Sequence, residues 1–138
     1  MLYTTTEAGS RADRRLREER IAWLTTVRAD GQPQSVPVWF LWDGETFLIY
    51  SRPGQQKLRN IGVNPRVGLH LNSNARGGDV VRVEGRAEVA QDVPPADEID
   101  EYVEKYRESI VRIGFDPHGF ARTYSVALRV TPDRWQLW

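Results

Sequence analysis

The spacing of apolar residues changes period several times along the chain, and each change marks an element. Ser10 to Arg20 is rich in Arg and Glu. It reads as a short, charged surface helix, with Ser10 as N-cap and Asp13 three residues on. From Ile21 the pattern turns β-branched and strand-like: IAWLTTVRA, then the Asp30-Gly31 hairpin signal, then QSVPVWFLW as the return strand. Pro37 assigns that strand to an edge or a bulge, because proline cannot donate to the ladder. Asp43-Gly44 is a second tight turn and TFLIYS a third strand, so the three strands read as an antiparallel meander. Gln55 to Val63 reads as a short helix with Leu58 and Ile61 on its buried face. It is closed by Asn64-Pro65, since a residue before proline avoids the helical region. RVGLHLN is a fourth strand. VVRVEGRAEVA is a fifth, with Val81, Val83 and Gly85 facing one way and Arg82, Glu84 and Arg86 the other. Pro94-Pro95 opens a helix with an apolar stripe at Ile99, Val103, Tyr106, Ile110 and Ile113, ended by Gly114. A turn over Pro117 to Arg122 leads into the last strand, TYSVALRVTPDRWQLW. The sum is one domain over residues 1–138, mainly β, with about six antiparallel strands and flanking helices. That is the pattern of a closed or split barrel.

Composition narrows the function classes. Lys plus Arg and Asp plus Glu number 19 each, so no basic excess points to nucleic acid. Cysteine is absent, which removes disulfides, thiol nucleophiles and cysteine metal sites. His70 and His118 are far apart and have no metal-ligand spacing. His70 reads as structural and His118 as a surface or capping residue. Asp97, Glu98, Asp100, Glu101 and Glu104 read as a solvated helix face. There is no signal pattern at the start and no apolar run of membrane-spanning length, so the expectation is a soluble, cytoplasmic protein. Five tryptophans and five tyrosines are generous for this length; such residues serve as core but also stack on planar ligands and seal interfaces. Trp23, Trp39 and Trp42 fall on the first strands, where barrel core or dimer interface is the expected role, and Trp39, next to Pro37, is the first choice for ligand contact.

Candidate chemistry concentrates in YSRPGQQKLRN, Tyr50 to Asn60. A strand ends on two hydroxyl residues, a tight turn follows, and a helix opens with Gln55, Gln56 and Lys57. Free amides at a helix start attract phosphate, Lys57 adds a cation, and Arg52 and Arg59 add forked donors. An ordinary basic surface helix would share these features, so local physics leaves both readings open.

The order of the motifs resembles the pyridoxamine 5'-phosphate oxidase-like, flavin-binding split-barrel family. Its elements are Ser51 at a strand end, Lys57, Asn64-Pro65 before the strand Arg66 to Leu71, the "RVEG" strand within Val80 to Val89, and the closing VTPDRWQLW. The resemblance implies a homodimer with two cofactor sites at the interface. Val36, Pro37, Val38 and Trp39 would line the ring system. Ile49, Tyr50 and Ser51 would flank the ring and its sugar-like chain. Arg52, Gln56 and Lys57 would hold phosphate, while Arg82 and Trp135 would approach from the partner subunit. Biosynthetic members are longer and carry a Gln where Val81 stands, which argues against vitamin B6 oxidation. The short form and PGQQKLRN look more like the branch that uses the deazaflavin coenzyme F420, whose acidic tail Arg52, Lys57, Arg59 and Arg76 would accommodate. The expected activity is hydride transfer to an unsaturated or quinone-like small molecule, with no catalytic side chain required. The alternatives are an FMN-dependent oxidoreductase or a non-catalytic cofactor- or haem-binding protein of the same fold.

Overall fold

The computed structural model describes all 138 residues. Seven strands form a single antiparallel sheet: β1 (Ala22–Val27), β2 (Pro33–Val38), β3 (Leu41–Trp42), β4 (Phe47–Ser51), β5 (Arg66–His70), β6 (Val81–Val89) and β7 (Val126–Leu137). Their order across the sheet is β2-β1-β5-β6-β7-β4-β3. Four helices flank it: α1 (Glu7–Glu18), α2 (Gln56–Val63), α3 (Asp100–Arg112) and α4 (Pro117–Thr123).

The two edge strands, β2 and β3, are joined by residues 39 and 40 alone. Three peptide links span at most about 11 Å, so the sheet must curl until its edges nearly meet. The result is a split half-barrel. The interior is filled by Leu24, Phe40, Trp42, Phe47, Ile49, Leu69, Val83, Leu128 and Val130, each 2% exposed or less. A second cluster, with Tyr50, Tyr102, Tyr106, Ile110 and Phe120, packs where α3 and α4 cover β4 and β7. Along β4, Phe47 and Ile49 face the barrel while Leu48 and Tyr50 face this second cluster. A strand buried on both faces loses its polar alternation, which is why FLIYS reads as one apolar run.

Several sequence expectations change. The sheet has seven strands rather than six, because the stretch Gln34 to Trp42 is broken in two. The meander therefore does not form: β2 pairs with β1 and β3 with β4, at opposite edges of the sheet. The break is imposed from afar. The Phe40 backbone N–H donates to Tyr106 Oη at 2.8 Å, and its carbonyl accepts from Lys105 Nζ at 2.8 Å and from Tyr106 Oη at 3.1 Å. Phe40 thus spends its backbone groups on α3 instead of a neighbouring strand. Pro37 does lie on an edge strand.

Helix α1 begins at Glu7, not Ser10. Thr6 is its N-cap and accepts from the Gly9 N–H at 3.0 Å, and a Cβ at Gly9 would lie 1.7 Å from the Tyr3 carbonyl oxygen. Asp13, expected near a capping box, instead accepts from Trp42 Nε1 at 2.9 Å and ties α1 to the barrel. The segment Pro117 to Arg122, read as a turn, is the helix α4, with Asp116 as N-cap accepting from the Gly119 N–H at 2.7 Å. Strand β6 alternates as its sequence says, with Val81, Val83 and Gly85 inward. At Gly85 a register shift brings β7 close, and a Cβ there would meet the Thr131 carbonyl oxygen at 2.4 Å.

Candidate functional site: a cleft between β2, β4 and the α3–α4 layer

The break after β2 and the end of β4 face α3 and α4 across a cleft of about 400 Å³. From the barrel side it is lined by Pro37, Val38 and Trp39, and by Tyr50, Ser51 and Arg52. Gln55 and Lys57 close one end, and Tyr102, Ile113, Phe120 and Tyr124 form the opposite wall.

The two ends differ in chemistry. At the polar end, Gly54 takes a positive φ of 74°, which lets β4 turn sharply into α2. Gln55 occupies the N-cap without a side-chain bond, and the backbone amides of Gln56 and Lys57 find no acceptor within the chain. Lys57 is half-buried and makes no ion pair, and burial lowers its pKa from the ordinary lysine value. No carboxylate lines the cleft. A chain of zero formal charge therefore concentrates two cations and a helix N-terminus at one place, an arrangement that attracts an anion.

The other end is aromatic. Trp39 stacks on Tyr106 with centroids 4.8 Å apart and on Phe120 at 5.4 Å, and Phe120 stacks on Tyr124 at 4.5 Å. The Arg52 guanidinium lies over the Tyr124 ring at 5.1 Å and links the aromatic wall to the polar end. Apolar walls with a few placed polar groups are the usual build of a site for a small molecule or cofactor.

The expected site residues fall into three groups. Pro37, Val38, Trp39, Tyr50, Ser51, Arg52 and Lys57 come together in the cleft. Trp39 already has two stacking partners, so its ring is a wall rather than a free platform. Ser51 is buried and its Oγ donates to the Arg52 carbonyl at 2.8 Å. Tyr50 donates to the Pro94 carbonyl at 2.6 Å, and burial, with Asp97 and Glu98 nearby, pushes its hydroxyl up to about 12.

Gln56 and Arg59 build the turn rather than line it. Arg59 donates to the Gly54 carbonyl at 2.7 Å and to Gln56 Oε1 at 2.6 Å, while Gln56 Nε2 donates to Asn60 Oδ1 at 2.9 Å. Val36, Ile49, Arg82 and Trp135 lie outside the cleft. Val36 faces the same side of β2 as Val38, across from Leu24, but is exposed at the sheet edge, and Ile49 is in the barrel core. Arg82 donates to Gln136 Oε1 at 2.6 Å and lies over the Trp138 ring. Trp135 packs on Trp42 and Phe47 of its own chain. Arg76 is in the loop after β5, whose Asp79 pairs with Arg11 and Arg15 of α1. Neither histidine lines the cleft. His70 Nδ1 contacts the Leu71 carbonyl, and His118 Nδ1 contacts Asp97.

Tyr102, Ile113, Phe120 and Tyr124 were not anticipated from sequence. Phe120 and Tyr124 are an i, i+4 pair hidden in a segment read as a turn, and the Asp116-Pro117 start signal was the clue to that helix. Tyr102 sits four residues before Tyr106 and shares the apolar face of α3.

A family model described as pyridoxamine 5'-phosphate oxidase matches residues 10–138. The F420H(2)-dependent biliverdin reductase of Mycobacterium tuberculosis (strain CDC 1551 / Oshkosh) is 34% identical over 110 residues, 78% of either chain. A solved F420 reductase structure, 27% identical, superposes with a TM-score of 0.67 over 90% of this chain and 94% of its own. The haem storage protein HutZ from Vibrio cholerae shares the fold at 17% identity, with a TM-score of 0.63 over 91% of each chain. With its curled antiparallel sheet and the match along nearly its whole length, the chain belongs to the pyridoxamine 5'-phosphate oxidase family.

Proposed function

We propose that this protein is an oxidoreductase that uses the deazaflavin coenzyme F420 to reduce an unsaturated or quinone-like small molecule. The observation that carries the reading is the pairing, in one cleft, of an acid-free cationic end with an aromatic wall. That matches a cofactor in which a flat ring system carries an anionic, phosphate-bearing side chain. The 34% identity to an F420H(2)-dependent reductase favours the deazaflavin over FMN. It also makes biliverdin, a conjugated tetrapyrrole, the first acceptor to try.

Lys57, Arg52 and the free amides of Gln56 and Lys57 would hold the phosphate. Trp39, Phe120 and Tyr124 would border the ring and exclude water. The reduced cofactor supplies the hydride. The chain's part is to orient the reactants and to lower the reorganisation they would need in water. The working unit is a homodimer, as the resemblance implies, with FMN the alternative cofactor.

Oxidation of reduced F420, followed by absorbance with biliverdin and a panel of quinones and enones, tests this reading. Acceptor-dependent oxidation is expected. A protein that turns over only with FMN overturns the F420 assignment, and one that turns over with neither overturns the enzyme reading. Haem binding is the less favoured alternative, because neither histidine lines the cleft to serve as an iron ligand.

A further inference from the structure

Two buried side-chain polar atoms lack any hydrogen-bond partner: Tyr102 Oη and Trp135 Nε1. Only Tyr102 lines the cleft. The tyrosines beside it are satisfied. Tyr50 Oη donates to the Pro94 carbonyl at 2.6 Å, and Tyr106 Oη donates to the Arg20 carbonyl at 2.7 Å. Tyr102 contacts both of these rings, edge-on to Tyr50 at 5.1 Å and tilted to Tyr106 at 5.0 Å, and is 0% exposed. Neither bulk water nor a ligand oxygen reaches its hydroxyl in the ligand-free chain, so a ligand bonds it only as the cleft wall shifts on seating. An orphaned buried hydroxyl destabilises the fold, and native proteins retain few unless a ligand or a function uses them.

Resting on the function proposed above, we infer that the Tyr102 hydroxyl donates a hydrogen bond to a ring carbonyl oxygen of the planar ligand seated in this cleft. Burial raises its pKa well above the ordinary tyrosine value, and the neighbouring groups are other tyrosines rather than cations, so the hydroxyl stays protonated and acts as a donor. A carbonyl conjugated to the reacting carbon gains negative charge as hydride adds, and a fixed donor at that oxygen stabilises the charge. The carbonyl can belong to the ring of the cofactor or to a quinone, enone or lactam acceptor. Tyr102 is thus a positioning and specificity residue for ligands with a carbonyl on a conjugated ring.

The test is Tyr102→Phe, which keeps the ring and removes the oxygen. Three quantities are compared with wild type: the ligand-free melting temperature, the Kd for F420 and for FMN, and the KM and kcat for the acceptor. The ligand-free variant is expected to melt at the same temperature or higher. A roughly tenfold rise in cofactor Kd then assigns the bond to the cofactor ring. An unchanged cofactor Kd with a changed acceptor KM or kcat assigns it to the acceptor. A variant that melts lower without ligand overturns the inference, because the hydroxyl then has a structural partner. A variant unchanged in all binding and turnover constants overturns it as well. Failure of the wild type to bind either cofactor is a separate result; it removes the proposed function and this inference together.

Discussion

Two clusters share the strands β4 and β7 but are built from different chemistry. The barrel interior is mostly aliphatic, with Leu24, Ile49, Leu69, Val83, Leu128 and Val130 closing around Phe40, Phe47 and Trp42. The cluster under α3 and α4 has fewer residues and is dominated by Tyr50, Tyr102, Tyr106 and Phe120. Alternate side chains of a single strand serve both: Phe47 and Ile49 stabilise the barrel, and Leu48 and Tyr50 belong to the other side. Polar atoms sort the same way. The second cluster carries the hydroxyls, and one of its tyrosines also holds the β2–β3 break open through Phe40. The aliphatic cluster therefore answers for the fold, and the aromatic cluster for the shape and contents of the cleft.

That division can be broken by matched truncations. Phe47→Ala, in the barrel, should cost about 3–5 kcal/mol of stability, read by urea unfolding, while the folded fraction keeps wild-type cofactor affinity. Phe120→Ala, in the cleft wall, should cost about 3 kcal/mol and also weaken cofactor binding, because Trp39 and Tyr124 both lose a stacking partner. Equal effects of the two variants on affinity would erase the distinction.

A smaller effect sharpens the electrostatic side of the comparison. Burial holds Lys57 below the ordinary lysine value, so its charged form is disfavoured in the ligand-free fold. Between its folded pKa and the unfolded value the unfolded chain binds more protons, and stability rises with pH across that window. A seated phosphate favours the charged form instead. Cofactor affinity should therefore fall as pH rises, beginning below the ordinary lysine pKa of about 10.4. Isothermal titration over that range would read the slope, and Lys57→Ala should flatten it.

Much of the barrel was legible because period-two alternation is a local property. Strand β6 shows it cleanly, and the Asp30-Gly31 and Asp43-Gly44 turns have glycine at φ of 89° and 97°, where turn chemistry wants it. The cleft was half legible. Its polar end follows from a contiguous segment, Tyr50 to Lys57, and its barrel-side wall from Pro37 to Trp39. Its far wall is hidden, since α4 lies in a segment whose residues suggest a turn, and the stripe Ile99, Val103, Tyr106, Ile110 and Ile113 leaves Tyr102 unnamed. The break at Trp39-Phe40 was beyond reach for a different reason. The contacts that impose it come from Lys105 and Tyr106, more than sixty positions away in sequence. Local pattern carries no trace of such a contact.

On the proposed function, the acid-free end beside α2 holds the phosphate of F420. Fluorescence titration of F420 into wild-type protein and into Lys57→Ala, with FMN in parallel, tests it most directly. Wild type should bind F420 more tightly than FMN, and Lys57→Ala should weaken F420 binding about tenfold or more, as loss of a charge-assisted contact does. Equal affinity of wild type and Lys57→Ala for F420 would remove the phosphate from this end of the cleft.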